Sequence, residues 1–253
     1  MNKKDYFLPV AILIAGVIIG AAIIYSNGLK TAKQTGSLAE NTPAVGAGKD
    51  LNVFSDENFL GDAKAALTIF EFSDYQCPYC ARYDKLSRPT IVDKYVKTGQ
   101  AKITFRDFPL SFHQYAQKAS EAVWCAGEQG KYWEMHDALF TKQESGQSDA
   151  LSVDNIKKYA GELGLNAAAF TSCLDSNKYQ SRVLKNAQSG QDIGISGTPT
   201  VVIAKKLPLK IDANYVASEV QKNNYIIPFD GGVMIVGAQP ASVYQTEIDK
   251  LLK

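Results

Sequence analysis

The sequence predicts an α/β fold carrying an all-helical insertion and preceded by one N-terminal transmembrane helix. Three observations point there: an uncharged apolar stretch from Tyr6 to Tyr25; a strand–turn–helix–strand unit between Leu67 and Phe105; and a region from about His113 to Asp192 that lacks a convincing strand and carries helical apolar spacing over Gln114–Phe140 and Val153–Leu163. The chain has 253 residues, 45% of them hydrophobic, enough for one medium domain or two small ones with a packed core. Its formal net charge of +1, with no Lys/Arg run longer than a pair, offers no electrostatic case for nucleic acid.

The twenty residues Tyr6–Tyr25 carry no charge and are long enough to span a bilayer as a signal-anchor. A cleaved signal peptide with Gly20-Ala21-Ala22 at its cleavage site is the alternative. Lys3 and Lys4 on one side face Lys30 and Lys33 on the other, so flanking charge does not orient the helix. Residues 1–30 form the expected anchor and 31–50 a flexible linker. The stretch Asn27–Asp50 is rich in small and polar residues, and a coil of about 20 such residues reaches roughly 25 Å.

Folded texture begins at Leu51. Leu67–Phe72 is a nearly continuous apolar run of the kind found in a strand buried on both faces. Cys77-Pro78-Tyr79-Cys80 follows, then Leu86, Ile91, Val92, Tyr95 and Val96 at helical spacing, with Pro89 expected to kink that helix. Ala101–Phe105 is the next strand, so the cysteines sit at the turn of a βαβ unit. Strands return at Thr200–Ala204 and Val233–Val236, and Ser242–Leu252 closes the chain as a helix.

Two thiols three residues apart at a helix start lie on one face within disulfide reach, and the helix N-terminus supplies N–H donors that favour a thiolate on the first. Pro78 at the first helical position wastes no hydrogen bond. The rival reading, half a zinc site, needs a second short-spaced Cys/His pair; Cys125 and Cys173 stand apart, the two histidines His113 and His136 are isolated, and no metal is expected. Glu71 is a lone carboxylate in the apolar strand, on the same face as Leu67 and Ile69. It either reaches water at an edge or serves as a proton acceptor and donor for Cys80 with a raised pKa. Trp124, Tyr132, Trp133 and Phe140 are expected in the core of the helical insertion.

These segments, together with Phe105-Arg106-Asp107-Phe108-Pro109-Leu110, Cys125-Ala126 with Lys131-Tyr132-Trp133, and Gly197-Thr198-Pro199-Thr200, resemble the DsbA-like branch of the thioredoxin superfamily, above all its membrane-anchored bacterial members. The resemblance spans roughly Leu51–Lys253. It implies a thioredoxin fold with a helical insertion at about 113–192, and dithiol–disulfide exchange with Cys77 as exposed nucleophile and Cys80 as buried partner. The family also has an acid at the spacing of Glu71, and it makes Thr198 and a cis Pro199, with Pro78 and Tyr79, the substrate-binding residues. In the oxidising compartment that this implies, Cys125 and Cys173 are expected to pair, closing a loop of about 50 residues worth roughly 4 kcal/mol; two buried free cysteines are the alternative.

The function expected from this resemblance is a membrane-anchored protein-disulfide oxidoreductase that introduces disulfides into cysteine-containing extracytoplasmic proteins. A quinone-linked membrane oxidoreductase would reoxidise it, and no dissociable cofactor is needed. Reductase or isomerase work is the runner-up, because Pro78-Tyr79 and Thr198 depart from the best-known strong oxidases. A non-catalytic peptide-binding module is the reading from another class. The long segment Lys205–Gly232, where the family usually has a tight turn, is expected to hold a short helix at Asp212–Lys222 and to lie at the far end of the sheet, away from the cysteines.

Overall fold

The computed structural model describes residues 58–205 and 207–253. The expected anchor Tyr6–Tyr25 and linker 31–50 lie outside those residues. Among the described residues no helix is long and apolar enough to cross a membrane.

Six strands form one sheet in the order β1-β3-β2-β4-β6-β5. At its centre β2 (Leu67–Ser73) is buried along its whole length and pairs in parallel with β3 (Ala101–Asp107) and antiparallel with β4 (Thr200–Ala204). Strand alternation then sorts its side chains: Leu67 and Ile69 join one apolar layer with Tyr83, Tyr244 and Ile248, and Phe70 and Phe72 join the other with Phe108, Ile193 and Val216. Glu71 falls on the first face, inside the sheet and away from any edge.

Between β2 and β3, α1 (Pro78–Leu86) ends at Ser87 and α2 (Arg88–Ile91) starts anew, running into a π-helical turn at Val92–Val96. The expected kink at Pro89 is thus a break that sets the proline in a first helical turn, where its missing N–H is harmless. The insertion between β3 and β4 is helical throughout: α3 (Ala116–Gly127), α4 (Tyr132–Gln143), α5 (Val153–Glu162), α6 (Ala167–Asp175) and α7 (Gln180–Asp192). Helix α7 returns to the sheet so closely that a Cβ on Gly190 would stand 2.8 Å from the Phe108 ring.

Two strands escaped the sequence reading. β1 (Phe59–Gly61) is a three-residue antiparallel edge on β3. β5 (Ile226–Phe229) pairs with β6 (Gly232–Val236) and holds Pro228, whose lost donor is tolerated because β5 is the other edge. The tight hairpin is therefore β5–β6, while β4 and β6 are sheet neighbours joined through α8 (Ala213–Gln221). The expected Asp212 cap of α8 is present, accepting the N–H groups of Asn214 at 2.9 Å and Tyr215 at 3.3 Å. Helix α9 (Ala241–Leu252) closes the chain over the Leu67–Ile69 face.

Candidate active site

The turn after β2 is held by one buried carboxylate. Asp74 accepts the N–H of Gln76 on Oδ1 at 2.7 Å and that of Leu110 on Oδ2 at 2.8 Å, and His113 Nδ1 lies 2.9 Å from the same Oδ2. Burial pushes the Asp74 carboxyl up, and these donors restrain the rise. The Cys77 N–H donates to the Asp74 carbonyl at 3.0 Å, and Gln76 accepts the Tyr115 N–H at 2.8 Å. Cys77 is thereby fixed as the extended N-cap of α1, with Pro78 as the first helical residue.

Cys77 and Cys80 are free thiols, 3% and 0% exposed. The expectation of an exposed Cys77 is corrected: the loop before β4 closes over it, with the carbonyl of Thr198 3.6 Å from Sγ. The Thr198–Pro199 bond is cis, and Pro199 is buried. The two thiols are electrostatically opposite. A hydrogen bond from Cys80, aided by Thr198 and the N–H groups of Cys80 and Tyr79, outweighs burial and lowers the Cys77 pKa to about 6. Burial first, then the neighbouring Cys77 sulfur, pushes Cys80 well above the ordinary thiol range, against smaller opposing effects of Ser73 and Thr198. At pH 7 a thiol with a pKa near 6 is roughly 90% thiolate, whereas an unperturbed one is a few per cent ionised.

Glu71 is wholly buried, and neither of its oxygens has a hydrogen-bond partner among the described residues. Desolvation pushes its pKa up to about 8, against the pull of the Arg88 guanidinium, whose Nε lies 3.8 Å away. It sits on the same face of β2 as Ser73, the residue beside the Cys80 thiol. Arg88 was not anticipated from the sequence. It also contacts Asp84 at 3.4 Å and Asp137 at 3.3 Å and lies over the Trp133 ring. His136, buried among Tyr75, Phe105 and Phe140, lies 2.9 Å from the Tyr75 hydroxyl and 3.3 Å from Asp84. Asp84, His136 and Asp137 have metal-ligand spacing, but the cation these carboxylates already share is Arg88.

Cys125 and Cys173 form a disulfide joining α3 to α6 in an apolar cluster that holds Trp124, Tyr132 and Phe140 and reaches Tyr75, Cys77, Cys80 and Phe105. That cluster is keyed to the sheet by Asp107, whose carboxylate accepts the Trp124 indole N–H at 2.8 Å and the Asn186 amide at 2.7 Å.

Beside the cysteines lies an open groove of about 970 Å³, lined by Tyr79, Arg82, Leu86, Thr198, Tyr225 and the loop that enters α9. Tyr225 corrects the placement of the 205–232 segment. That segment leaves β4 at the far end, but its return strand β5 starts at the active end, where the Tyr225 carbonyl accepts the Val236 N–H at 2.8 Å and Val236 pairs with Thr200.

A family model described as Thioredoxin matches residues 55–221. Na(+)/H(+) antiporter NhaA 3 of Salinispora tropica is 32% identical over 58% of this chain, but the matched part is only 21% of that protein, so the transport in its name does not carry over. Disulfide bond formation protein D of Bacillus subtilis is 28% identical over 62% of this chain and 71% of its own length. The crystal structure of Wolbachia pipientis alpha-DsbA1 superposes with a TM-score of 0.63 at 23% identity, covering 79% of this chain and 92% of that one. The chain belongs to the thioredoxin family.

Proposed function

We propose that this chain introduces disulfides into cysteine-containing proteins outside the cytoplasm, held at the membrane by Tyr6–Tyr25. The observation that carries the reading is the split between the two thiols: Cys77 lowered to about 6 and Cys80 raised. A stabilised Cys77 thiolate favours the dithiol form of the enzyme and so makes its disulfide an oxidant.

A substrate thiolate attacks Cys77 Sγ of the Cys77–Cys80 disulfide; the S–S bond breaks, and the electron pair leaves on Cys80. Cys80 takes a proton, for which Glu71, protonated below about pH 8, is the nearby store. A second substrate thiolate attacks the substrate sulfur of the mixed disulfide and expels Cys77 as a stable thiolate. The substrate has lost two electrons and the enzyme has gained them. Thr198 and Pro199, with Pro78 and Tyr79, hold the substrate segment against Cys77, while Cys125–Cys173 braces the insertion. A quinone-linked membrane oxidoreductase takes the two electrons back through the same pair of sulfurs.

The direction is tested by incubating the full oxidised chain, in detergent, with a reduced dithiol peptide. The expected result is stoichiometric peptide disulfide and enzyme dithiol at equilibrium. An equilibrium lying with reduced peptide and oxidised enzyme would instead make the chain a reductase or isomerase, and no exchange in either direction would leave a peptide-binding module.

A further inference from the structure

The segment 207–225, which joins β4 to β5, is firmly built. Leu209, Ile211 and Val216 are buried on the Phe70–Phe72 face of the sheet. Gly194, in the loop that leads to Thr198, has φ +89°, and a Cβ there would lie 2.9 Å from the Ala213 carbonyl and 3.0 Å from Val216. Helix α8 is thus seated against the loop that covers Cys77. The segment then hands over to β5 with the Tyr225 backbone pinned to Val236 and its ring 48% exposed.

Three large exposed apolar side chains meet where that ring emerges. Tyr79 at 58%, Leu86 at 62% and Tyr225 line one groove that also contains Thr198. Apolar surface gathered into a concave site signals a partner in a way that scattered exposed residues do not. Arg82 in the same groove donates to the Ala238 carbonyl at 3.0 Å and lies over the Tyr79 ring, and among the described residues no carboxylate pairs with it.

Resting on the oxidase reading above, we propose that the 207–225 segment is a specificity element. Its Tyr225 ring and the Arg82 of α1 line the groove and together select extended substrate segments carrying an aromatic and an acidic side chain close to the reacting cysteine. The aromatic side chain packs between Tyr79, Leu86 and Tyr225, and the acidic one meets Arg82. Burying one aromatic ring in such a groove corresponds to a preference of roughly ten-fold.

The test uses the full chain, kept oxidised by excess glutathione disulfide, and a family of dithiol peptides of one length, differing only near the reacting cysteine: Tyr with Asp, Gly with Asp, Tyr with Lys, and Gly with Ser. Dithiothreitol serves as the small-molecule control. The expected result is a kcat/KM for the Tyr–Asp peptide roughly ten-fold above that for Gly–Ser, expressed mainly in KM, with each single change losing part of it. In Tyr225→Ala the Tyr-over-Gly ratio collapses toward one, and Tyr225→Phe keeps it. Arg82→Glu reverses the Asp-over-Lys preference. Equal kcat/KM across the peptides, with dithiothreitol still oxidised, would overturn the specificity proposal alone. Failure to oxidise dithiothreitol as well would overturn the oxidase reading beneath it. Because the peptide series is read on the unaltered protein, misfolding of a variant does not blunt the result.

Discussion

The chain contains two cysteine pairs in opposite physical settings. Cys77 and Cys80 are neighbours along one helix start, both free, with one thiol lowered toward 6 and the other raised. Cys125 and Cys173 are 48 residues apart and joined as a disulfide between α3 and α6, with Trp124, Tyr132 and Phe140 in the same apolar cluster. A long loop gives a disulfide entropic leverage on the unfolded chain, which suits bracing. A short turn has almost none of that leverage, but it sets one sulfur among N–H donors and the other in apolar surroundings, which suits exchange. On the function proposed above, separation in sequence and local electrostatics give the two pairs different work.

The largest expected effect comes from breaking the first pair. Cys77→Ser removes the attacked sulfur and should lower the rate of peptide oxidation about a thousand-fold or more, with no substrate adducts. Cys80→Ser retains a nucleophile but lacks the resolving thiol, so mixed disulfides should accumulate and be visible on non-reducing gels. Equal trapping by the two variants would contradict the division of roles between them.

The second pair should behave in the opposite way. Replacing Cys125 and Cys173 together by Ala is expected to reduce stability by about 4 kcal/mol in denaturant titrations while peptide oxidation continues in the folded protein. Unchanged stability, or loss of exchange with the fold intact, would erase the distinction.

A smaller effect concerns Glu71. Its pKa rises from 4.5 to about 8 on burial, so the folded chain keeps a proton that the unfolded chain releases between those values. Its contribution is fully present below pH 4.5 and is lost as pH rises through about 8. Glu71→Gln removes that dependence, and its denaturation midpoint should vary less with pH over this window than that of the unaltered chain. Parallel midpoint curves for the two proteins would show that Glu71 titrates normally.

What the sequence revealed and what it hid divide along the same line between local and distant determinants. The run Leu67–Phe72, the proline inside the cysteine turn, the Asp212 cap and the apolar periodicity of α3, α4, α5, α8 and α9 are local patterns, and each element they announced is present. Strand β1, three residues long, is too short for its period to register, and Pro228 disguised β5 as a loop. Arg88 carries no local mark of being Glu71's counter-charge; only the pairing of the β2 face with α2 brings them within 3.8 Å. The return of Tyr225 to the active end depends on β5 closing the sheet edge, and the cover over Cys77 on a loop 121 residues away in sequence.

The central claim is that the helix start and the Cys80 thiol hold Cys77 as a thiolate at neutral pH. The most direct measurement is the pH dependence of thiolate absorbance in the fully reduced chain, with rapid alkylation and peptide mapping to assign each step to its cysteine. A first midpoint near 6 belonging to Cys77, with Cys80 unmodified until strongly alkaline pH, is the predicted result. A Cys77 midpoint at or above the ordinary value of 9.0, or two thiols titrating together, would contradict the account.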